Sequence, residues 1–327
     1  MSAQNQKTYS PSKRPLVIIA GPTATGKTAA SVALAKRMKG SVISADSMQV
    51  YRGMDVGSAK VTKEEMEGIP HYLIDVADPV ENWNVVRFQE MAKEAAEKIY
   101  DEGRIPFLVG GTGFYIQALL YDIDFTRMEA DTEHRSLLEE EAVREGPEVL
   151  YRRLQDIDPE AASAIHPNNV KRVIRALEFA RNGRGLLISE HNRNEQQRPP
   201  AFDAVFFVFT MDRQKLYARI DARVDLMMEK GLEDEVRSLR QKGLTAQDVS
   251  MMGIGYRQIL RALDGEYSME EAVRLIKRDS RHFAKRQLTW FKRERNVIWI
   301  DLDDFADEEA LLSYMETRIR SALSLST

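Results

Sequence analysis

Cysteine is absent from all 327 residues. That excludes disulfides, thiolate metal centres and cysteine nucleophiles, and it suits a chain kept in a reducing compartment. No apolar run approaches the roughly 20 residues that a membrane-spanning helix needs. Residues 1–14 lack the apolar stretch of a secretion signal and read as a flexible polar tail. A soluble cytoplasmic protein with no membrane association is therefore expected. The five histidines are scattered, and His71 and His166 complete no metal-ligand spacing. An Asn-Lys-x-Asp motif of the guanine-reading kind is also missing, which argues against a GTPase.

What is present is a core. Hydrophobic residues make up 43% of the chain and charged residues 30%, enough for two domains and far from the composition of disorder. The run Leu16–Ala20 is short, β-branched and without helical spacing, the signature of a buried parallel strand. Further strands are predicted at Ser41–Ala45, Tyr72–Val76, Pro106–Val109, Ala204–Thr210 and Asn296–Leu302. Helices are predicted over Ala29–Lys39 and Val85–Tyr100. Strands alternating with helices specify an α/β fold with a parallel sheet. Between them, Thr132–Arg144, Glu148–Leu154, Glu160–Ile165 and Asn169–Arg181 read as helices, and Glu190–Pro200 reads as a mobile polar connection. The division expected is a core over residues 15–121 and 201–327, interrupted by an all-helical insertion over residues 122–200.

The strongest local signal is Gly21-Pro22-Thr23-Ala24-Thr25-Gly26-Lys27-Thr28. It fills every fixed position of the P-loop pattern and lies between a predicted strand and a predicted helix. Its glycines let backbone N–H groups wrap phosphate oxygens, Lys27 adds a point charge, and Thr28 can hold Mg²⁺. The alternative is a glycine-rich turn carrying a surface lysine. The motif does not by itself say which phosphate ester binds, and a kinase or ATPase stays open. Asp46, heading Asp46-Ser47-Met48-Gln49 after the second strand, sits where ligands of α/β folds bind. It is a candidate general base, a metal-side carboxylate or a helix cap. Thr112, inside Gly110-Gly111-Thr112-Gly113, occupies the equivalent place after the Pro106–Val109 strand, where an ordinary strand-to-helix turn is the alternative.

Read in order, GPTATGKT, ISADSMQVYRGMDVGSAK, HYLIDVADP, FLVGGTGFYIQALL, AIHPNNVKRVIRALE, RIDARVDLM, MGIGYRQ and HFAKRQLTWFKR closely resemble the tRNA dimethylallyltransferases. The likeness covers nearly the whole chain beyond its first residues. It implies a P-loop NTPase-like core that binds dimethylallyl diphosphate with Mg²⁺. The dimethylallyl group passes to N6 of the adenine immediately 3′ of the anticodon, in tRNAs reading codons that begin with U. Pyrophosphate is released. By the same resemblance Asp46 is the base, Thr112 helps hold the amine, and Arg223 stabilises the leaving diphosphate with Arg219 beside it. An i,i+4 ladder to Asp221 and Asp225 is the alternative for the two arginines. The aspartates from Asp301 onward, Asp303-Asp304-Phe305-Ala306-Asp307 among them, come too late and lie in an acidic tail, not where common isoprenoid synthases hold magnesium diphosphate, so the P-loop is expected to take over that role.

The net charge of −4 hides a polarised distribution. Nine basic side chains between Arg274 and Arg295 are opposed only by Asp279 and Glu294. Lys171, Arg172 and Arg175 share the last predicted helix of the insertion and can track a phosphate backbone. Arg278, Arg281 and Lys285 are expected on one face of another helix. The expected RNA surface comprises Asp46, Ser47, Met48, Gln49, Thr112, Arg135, Lys171, Arg172, Val173, Ile174, Arg175, Arg257, Arg278, Arg281 and Lys285. Asp131 and Arg135 match the family pattern at the start of the insertion. The partner expected is a tRNA anticodon stem-loop, gripped by shape and backbone, with the target base flipped out. No obligate protein partner is implied. Trp290, Phe291 and Trp299 are expected in the core, not as stacking platforms. The competing functions are a P-loop small-molecule kinase and an NTP-gated RNA-binding protein.

Overall fold

The computed structural model describes residues 14–125, 132–182 and 186–323. The tail expected over residues 1–14 lies, apart from Arg14, outside the described residues, and so does Asp131. The chain divides into two compact units, residues 1–120 with 201–327 and residues 121–200.

The first unit runs β1 (Pro15–Ala20), α1 (Lys27–Arg37), β2 (Gly40–Ala45), α2 (Lys63–Met66), β3 (His71–Tyr72), α3 (Val85–Asp101), β4 (Ile105–Gly110) and α4 (Gly113–Leu120). The second unit consists of α5 (Thr132–Glu145), α6 (Pro147–Ile157), α7 (Pro159–Ala164), α8 (Val170–Asn182) and α9 (Ile188–Gln197). The chain then returns to the first unit through β5 (Asp203–Thr210), α10 (Arg213–Glu229), α11 (Leu232–Gln241), α12 (Tyr256–Leu263), α13 (Met269–Phe291), β6 (Val297–Asp301) and α14 (Glu308–Ala322). The six strands form one parallel sheet in the order β3-β2-β4-β1-β5-β6.

Both faces of the sheet are apolar because both are covered. Val17 and Ile19 of β1 and Val205, Phe207 and Phe209 of β5 pack with Leu34 of α1 and Leu312, Met315 and Ile319 of α14. The intervening residues point the other way, as the two-residue period of a strand requires. Phe206 meets Phe291 of α13 edge-on at 6.2 Å, and Phe88 of α3 stacks on Tyr115 of α4 at 4.3 Å. Each such side chain contributes about 1.5–3 kcal/mol on burial. The sheet thereby fixes the carboxyl ends of β1, β2 and β4, where the P-loop, Asp46 and Thr112 emerge.

Two segments depart from the sequence-based expectation. The strand predicted at Tyr72–Val76 ends at Tyr72, because Leu73 and Asp75 take left-handed backbone at φ 63° and 55°. The chain then pairs with the segment after Asp46, Asp75 N donating to Gln49 O at 3.2 Å and Val76 N to Val50 O at 2.9 Å. The polar connection over 190–200 is helical to Gln197. Its apolar residue Ile188 joins the core of Leu138, Leu150, Leu154, Leu177 and Phe179. Buried Asp158 also holds its start, one oxygen accepting Ser189 N at 3.1 Å and the other capping α7 through Ala161 N at 3.0 Å. Counting polar residues missed one buried turn. Trp299 does not join the core either, being 40% exposed on the edge strand β6. No helix among the described residues is long and apolar enough to cross a membrane.

Candidate active site

The loop after β1 is shaped by backbone that ordinary residues avoid. Ala24 and Gly26 are left-handed, at φ 65° and 82°. Gly21 has φ 143°, and a Cβ there would stand 2.8 Å from the Phe209 carbonyl oxygen of β5. Thr25 Oγ1 and Lys27 Nζ both donate to Pro22 O, at 2.8 and 2.6 Å, closing the loop on itself. With α1 starting at Lys27, unpaired amides of its first turn present positive potential to an anion.

Two cations in this region make no ion pair among the described residues. Lys27 is half-buried and its ammonium titrates at about 7, lowered first by desolvation and then by the Arg223 charge, with Asp46 acting the other way. The Arg223 guanidinium is also lowered by desolvation, opposed by Asp46 and then Glu65. Its Nε is buried without a hydrogen-bond partner. Uncompensated charge of this kind is unfavourable, and a bound diphosphate would supply the missing anion and acceptors. Arg219 is exposed one turn earlier on α10, with Nη2 4.0 Å from where a Gly26 Cβ would be. The local ladder does not form. Asp221 instead meets Arg281 Nη1 of α13 at 2.6 and 2.7 Å, and Asp225 meets Lys277 Nζ at 2.6 Å.

Asp46 does cap its own turn. Its Oδ1 accepts Met48 N at 2.8 Å and Gln49 N at 3.3 Å, while Oδ2 meets no donor among the described residues. One oxygen thus orients the carboxylate and the other is open for chemistry. Thr112 N donates to Ala45 O at 3.2 Å, joining the turn after β4 to the residue preceding Asp46. The glycines on either side are demanded by α13: a Cβ on Gly111 would lie 2.1 Å from Gln287 Nε2, and one on Gly113 2.3 Å from the Trp290 ring. Gln287 Nε2 also donates to Gly111 O at 2.9 Å. Helix α13 therefore sets the position of Thr112.

For a metal, the Thr28 hydroxyl is exposed at the first turn of α1. No group of three or more carboxylates or histidines that could hold a metal occurs among the described residues. That donor set fits Mg²⁺, which takes few protein ligands and completes its shell with water and phosphate oxygens.

The expected RNA residues separate into distinct groups. In the helical unit, Lys171, Arg172 and Arg175 are exposed along α8. Val173 and Ile174 are not surface residues: at 0% and 2% exposure they belong to the core of that unit, on the side of α8 opposite the cations. Arg135 is clamped by Glu178, Nε to Oε1 at 3.1 Å and Nη2 to Oε2 at 2.6 Å. Arg175 is held below the ordinary guanidinium value first by desolvation and then by Arg135.

In the first unit, the basic stripe of α13 is partly neutralised, by Asp221 and Asp225 of α10, which a count along that helix overlooks, and by Glu271 and Asp279 of α13 itself. Arg281 and Lys277 pair with α10 as above. Arg278 and Arg257 share Asp279, at 2.8 and 3.0 Å, and Arg274 pairs with Glu271 at 2.5 Å. Arg257, Arg278 and Arg281 are therefore ion-paired residues, and of the expected α13 contacts Lys285 alone has no ion pair among the described residues.

Beyond them lies a site that sequence reasoning overlooked. His282, Lys285, Arg286, Thr289, Trp290 and Arg293 line an open cavity of about 390 Å³. Trp290, expected in the core, is half-buried there, abuts Gly113, and has no hydrogen-bond partner for its indole N–H. The signal was present, since the first five positions share one stripe of α13 with i, i+3, i+4, i+7 and i+8 spacing, and Arg293 follows in the turn after it.

The IPP transferase family model matches residues 49–294. The chain is 53% identical over 302 residues to a tRNA dimethylallyltransferase of Lachnoclostridium phytofermentans, covering 92% of this chain and 96% of that one. It is 48% identical over 292 residues to one of Halalkalibacterium halodurans, covering 89% and 92%. Among solved structures it is similar to a full-length tRNA isopentenylpyrophosphate transferase from Bacillus halodurans, at TM-score 0.71 and 44% identity, covering 96% and 99%. It is also similar to a eukaryotic dimethylallyltransferase acting on tRNA, at TM-score 0.81 and 30% identity, covering 94% and 80%.

Proposed function

This chain belongs to the IPP transferase family, and from that premise we infer that it transfers a dimethylallyl group to N6 of the adenine immediately 3′ of the anticodon. The tRNAs concerned read codons beginning with U, the donor is dimethylallyl diphosphate, and pyrophosphate leaves. The observation that carries the residue assignment is electrostatic. Asp46 interacts electrostatically with both Lys27 and Arg223, which supports reading Asp46 as the base and the two cations as the diphosphate's partners.

The adenine amine is a weak nucleophile because its lone pair is delocalised into the ring. As the new C–N bond forms to the allylic carbon, an N–H proton passes to Asp46, whose Oδ1 is already committed to the turn. Thr112 holds the same amine. The C–O bond to the diphosphate breaks with cationic character on carbon and added negative charge on the leaving oxygens. Lys27, Arg223, Arg219 and the loop amides stabilise that charge. Thr28 would hold Mg²⁺, which when bound would supply further positive charge to the leaving group.

On the RNA side, Lys171, Arg172 and Arg175 contact backbone phosphates of the anticodon stem-loop, with Arg135 anchored behind them. The cavity of Lys285, Arg286 and Trp290, whose tryptophan abuts Gly113, suits a phosphate next to an unstacked base. Replacing Lys171 and Arg172 together by Ala is expected to weaken tRNA binding. It should also lower the slope of log affinity against log salt by about 1.4–1.8, if each contacts one phosphate. Filter binding over a salt series measures this, and an unchanged slope removes that face of α8 from the RNA surface.

Mass analysis of unmodified tRNA tests the function directly. One sample holds protein, Mg²⁺ and dimethylallyl diphosphate; the other holds ATP instead. A dimethylallyl adduct on the adenine beside the anticodon is expected in the first sample only. No adduct from folded protein and suitable tRNA would overturn the reading, and ATP consumption would then favour a kinase.

A further inference from the structure

Asp46 begins a segment that returns to the sheet only at β3, and what holds that segment lies far away in sequence. Its inner part is self-contained. Lys60, with its side chain 6% exposed, donates to Tyr51 O at 2.6 Å and pairs with Asp55 and Asp75 at 2.5 and 2.6 Å. Gln49 Nε2 reaches Ala59 O at 3.3 Å. The outer part is held by Glu235 of α11. Its Oε2 accepts Asp55 N at 2.7 Å and Val56 N at 2.8 Å, and its Oε1 accepts Gly57 N at 3.0 Å. The Tyr256 hydroxyl of α12 donates to Oε1 at 2.7 Å. Four donors meet one carboxylate, which is the full capacity of its two oxygens.

Packing repeats the message independently. A Cβ on Gly57 would lie 2.6 Å from the Tyr256 ring and 2.8 Å from Leu232, so this stretch presses directly on α11 and α12. A Cβ on Gly253, just before α12, would lie 2.6 Å from Met48 Cε and 3.3 Å from Tyr256. The same tyrosine thus underlies both Gly57 and the Gly253 seat of Met48, while its own ring is fully buried. Among the described residues, none of the hydrogen bonds made by Glu235 and Tyr256 reaches the P-loop lysine.

We propose that Glu235, with Tyr256 as its donor, is a positioning residue for RNA: it fixes the Asp46–Lys60 segment so that Ser47, Met48 and Gln49 present a preformed surface to the tRNA. The proposal rests on the assignment of that segment to the RNA side of the prenyl transfer. Glu235 acts through backbone amides, so its loss should be felt as poorer tRNA engagement, not as poorer diphosphate binding or slower chemistry. Glu235→Gln keeps the shape but replaces one acceptor oxygen by an NH₂ group. The Tyr256 hydroxyl can turn to accept from it, whereas the amides of Asp55, Val56 and Gly57 cannot.

The test is steady-state transfer with tRNA varied at saturating dimethylallyl diphosphate, alongside amide hydrogen exchange. For Glu235→Gln the KM for tRNA should rise on the order of tenfold, the scale of one lost charge-assisted hydrogen bond. The kcat and the diphosphate affinity should stay within about threefold, and amides 55–57 should exchange on the order of tenfold faster. Accelerated exchange with an unchanged KM overturns the proposal, and so does unchanged exchange. If Glu235→Gln also loses diphosphate binding, Tyr256→Phe decides, since it removes one donor and leaves the carboxylate: a smaller rise in tRNA KM alone supports the proposal, and none overturns it. Wild-type protein that makes no adduct would sink the prenyl-transfer assignment itself, while the exchange result would still report on the clamp.

Discussion

Asp46→Asn should bind dimethylallyl diphosphate as the wild type does and transfer it about 10²–10⁴-fold more slowly, the usual contribution of a positioned general base. The asymmetry between the two carboxylate oxygens is what makes the substitution informative. An asparagine carbonyl can accept Met48 N and Gln49 N as Oδ1 does, so the turn over Asp46–Gln49 is retained. The amide placed at Oδ2 cannot take a proton from the adenine amine. The loss should therefore appear in kcat under single-turnover conditions at saturating tRNA, with KM for tRNA little changed. Undiminished transfer would remove Asp46 as the base. A parallel loss of tRNA affinity would instead assign Asp46 to holding the turn. Together with Glu235→Gln, the two substitutions separate proton transfer from presentation of the segment.

The parts of this site that were legible in the sequence are those encoded by neighbours along the chain. The P-loop is eight consecutive residues between a strand and a helix, and both its phosphate-facing shape and its lysine follow from that string. Asp46 and Thr112 were legible because each stands within two residues of the end of a strand of a parallel sheet. What stayed hidden depends on residues distant in sequence. The charge excess counted on α13 ignored Asp221 and Asp225, which approach from α10 and neutralise Arg281 and Lys277. Trp290 was expected in the core, and it does pack against Gly113 and edge-on against Phe114, but it also lines the cavity. Glu235 carries no local signal at all, since its three backbone partners lie some 180 residues earlier. Val173 and Ile174 are different: the helical period sets Val173 opposite Lys171 and Arg175 and turns Ile174 away from Arg172 and Arg175, and matching a contiguous motif obscured it. β3 is shorter than its apolar run because Leu73 and Asp75 adopt left-handed backbone with no glycine to announce it.

Lys27→Met should lower kcat by about 10²–10³-fold, the scale of removing one donor from a developing anion, and should weaken diphosphate binding in a pH-dependent way. The sign follows from the free site. There the ammonium titrates at about 7, because desolvation and Arg223 disfavour its charged form. Below that pH the lysine is already protonated, and binding proceeds without proton exchange at this group. Above it the lysine is neutral and must take up a proton when the diphosphate arrives, since the bound anion favours the charged form. Wild-type affinity should thus fall with a slope approaching tenfold per pH unit above about 7, until the pKa of the complex is reached. Calorimetric titration in two buffers of different ionisation enthalpy counts the protons: about 0.9 taken up per site at pH 8 and about 0.1 at pH 6 from this lysine. A diphosphate bound by cations only gives protons up, so net uptake at pH 8 must come from the protein. The Lys27→Met protein should show none. Equal uptake in both proteins would move the titrating group elsewhere and leave Lys27 a permanent cation.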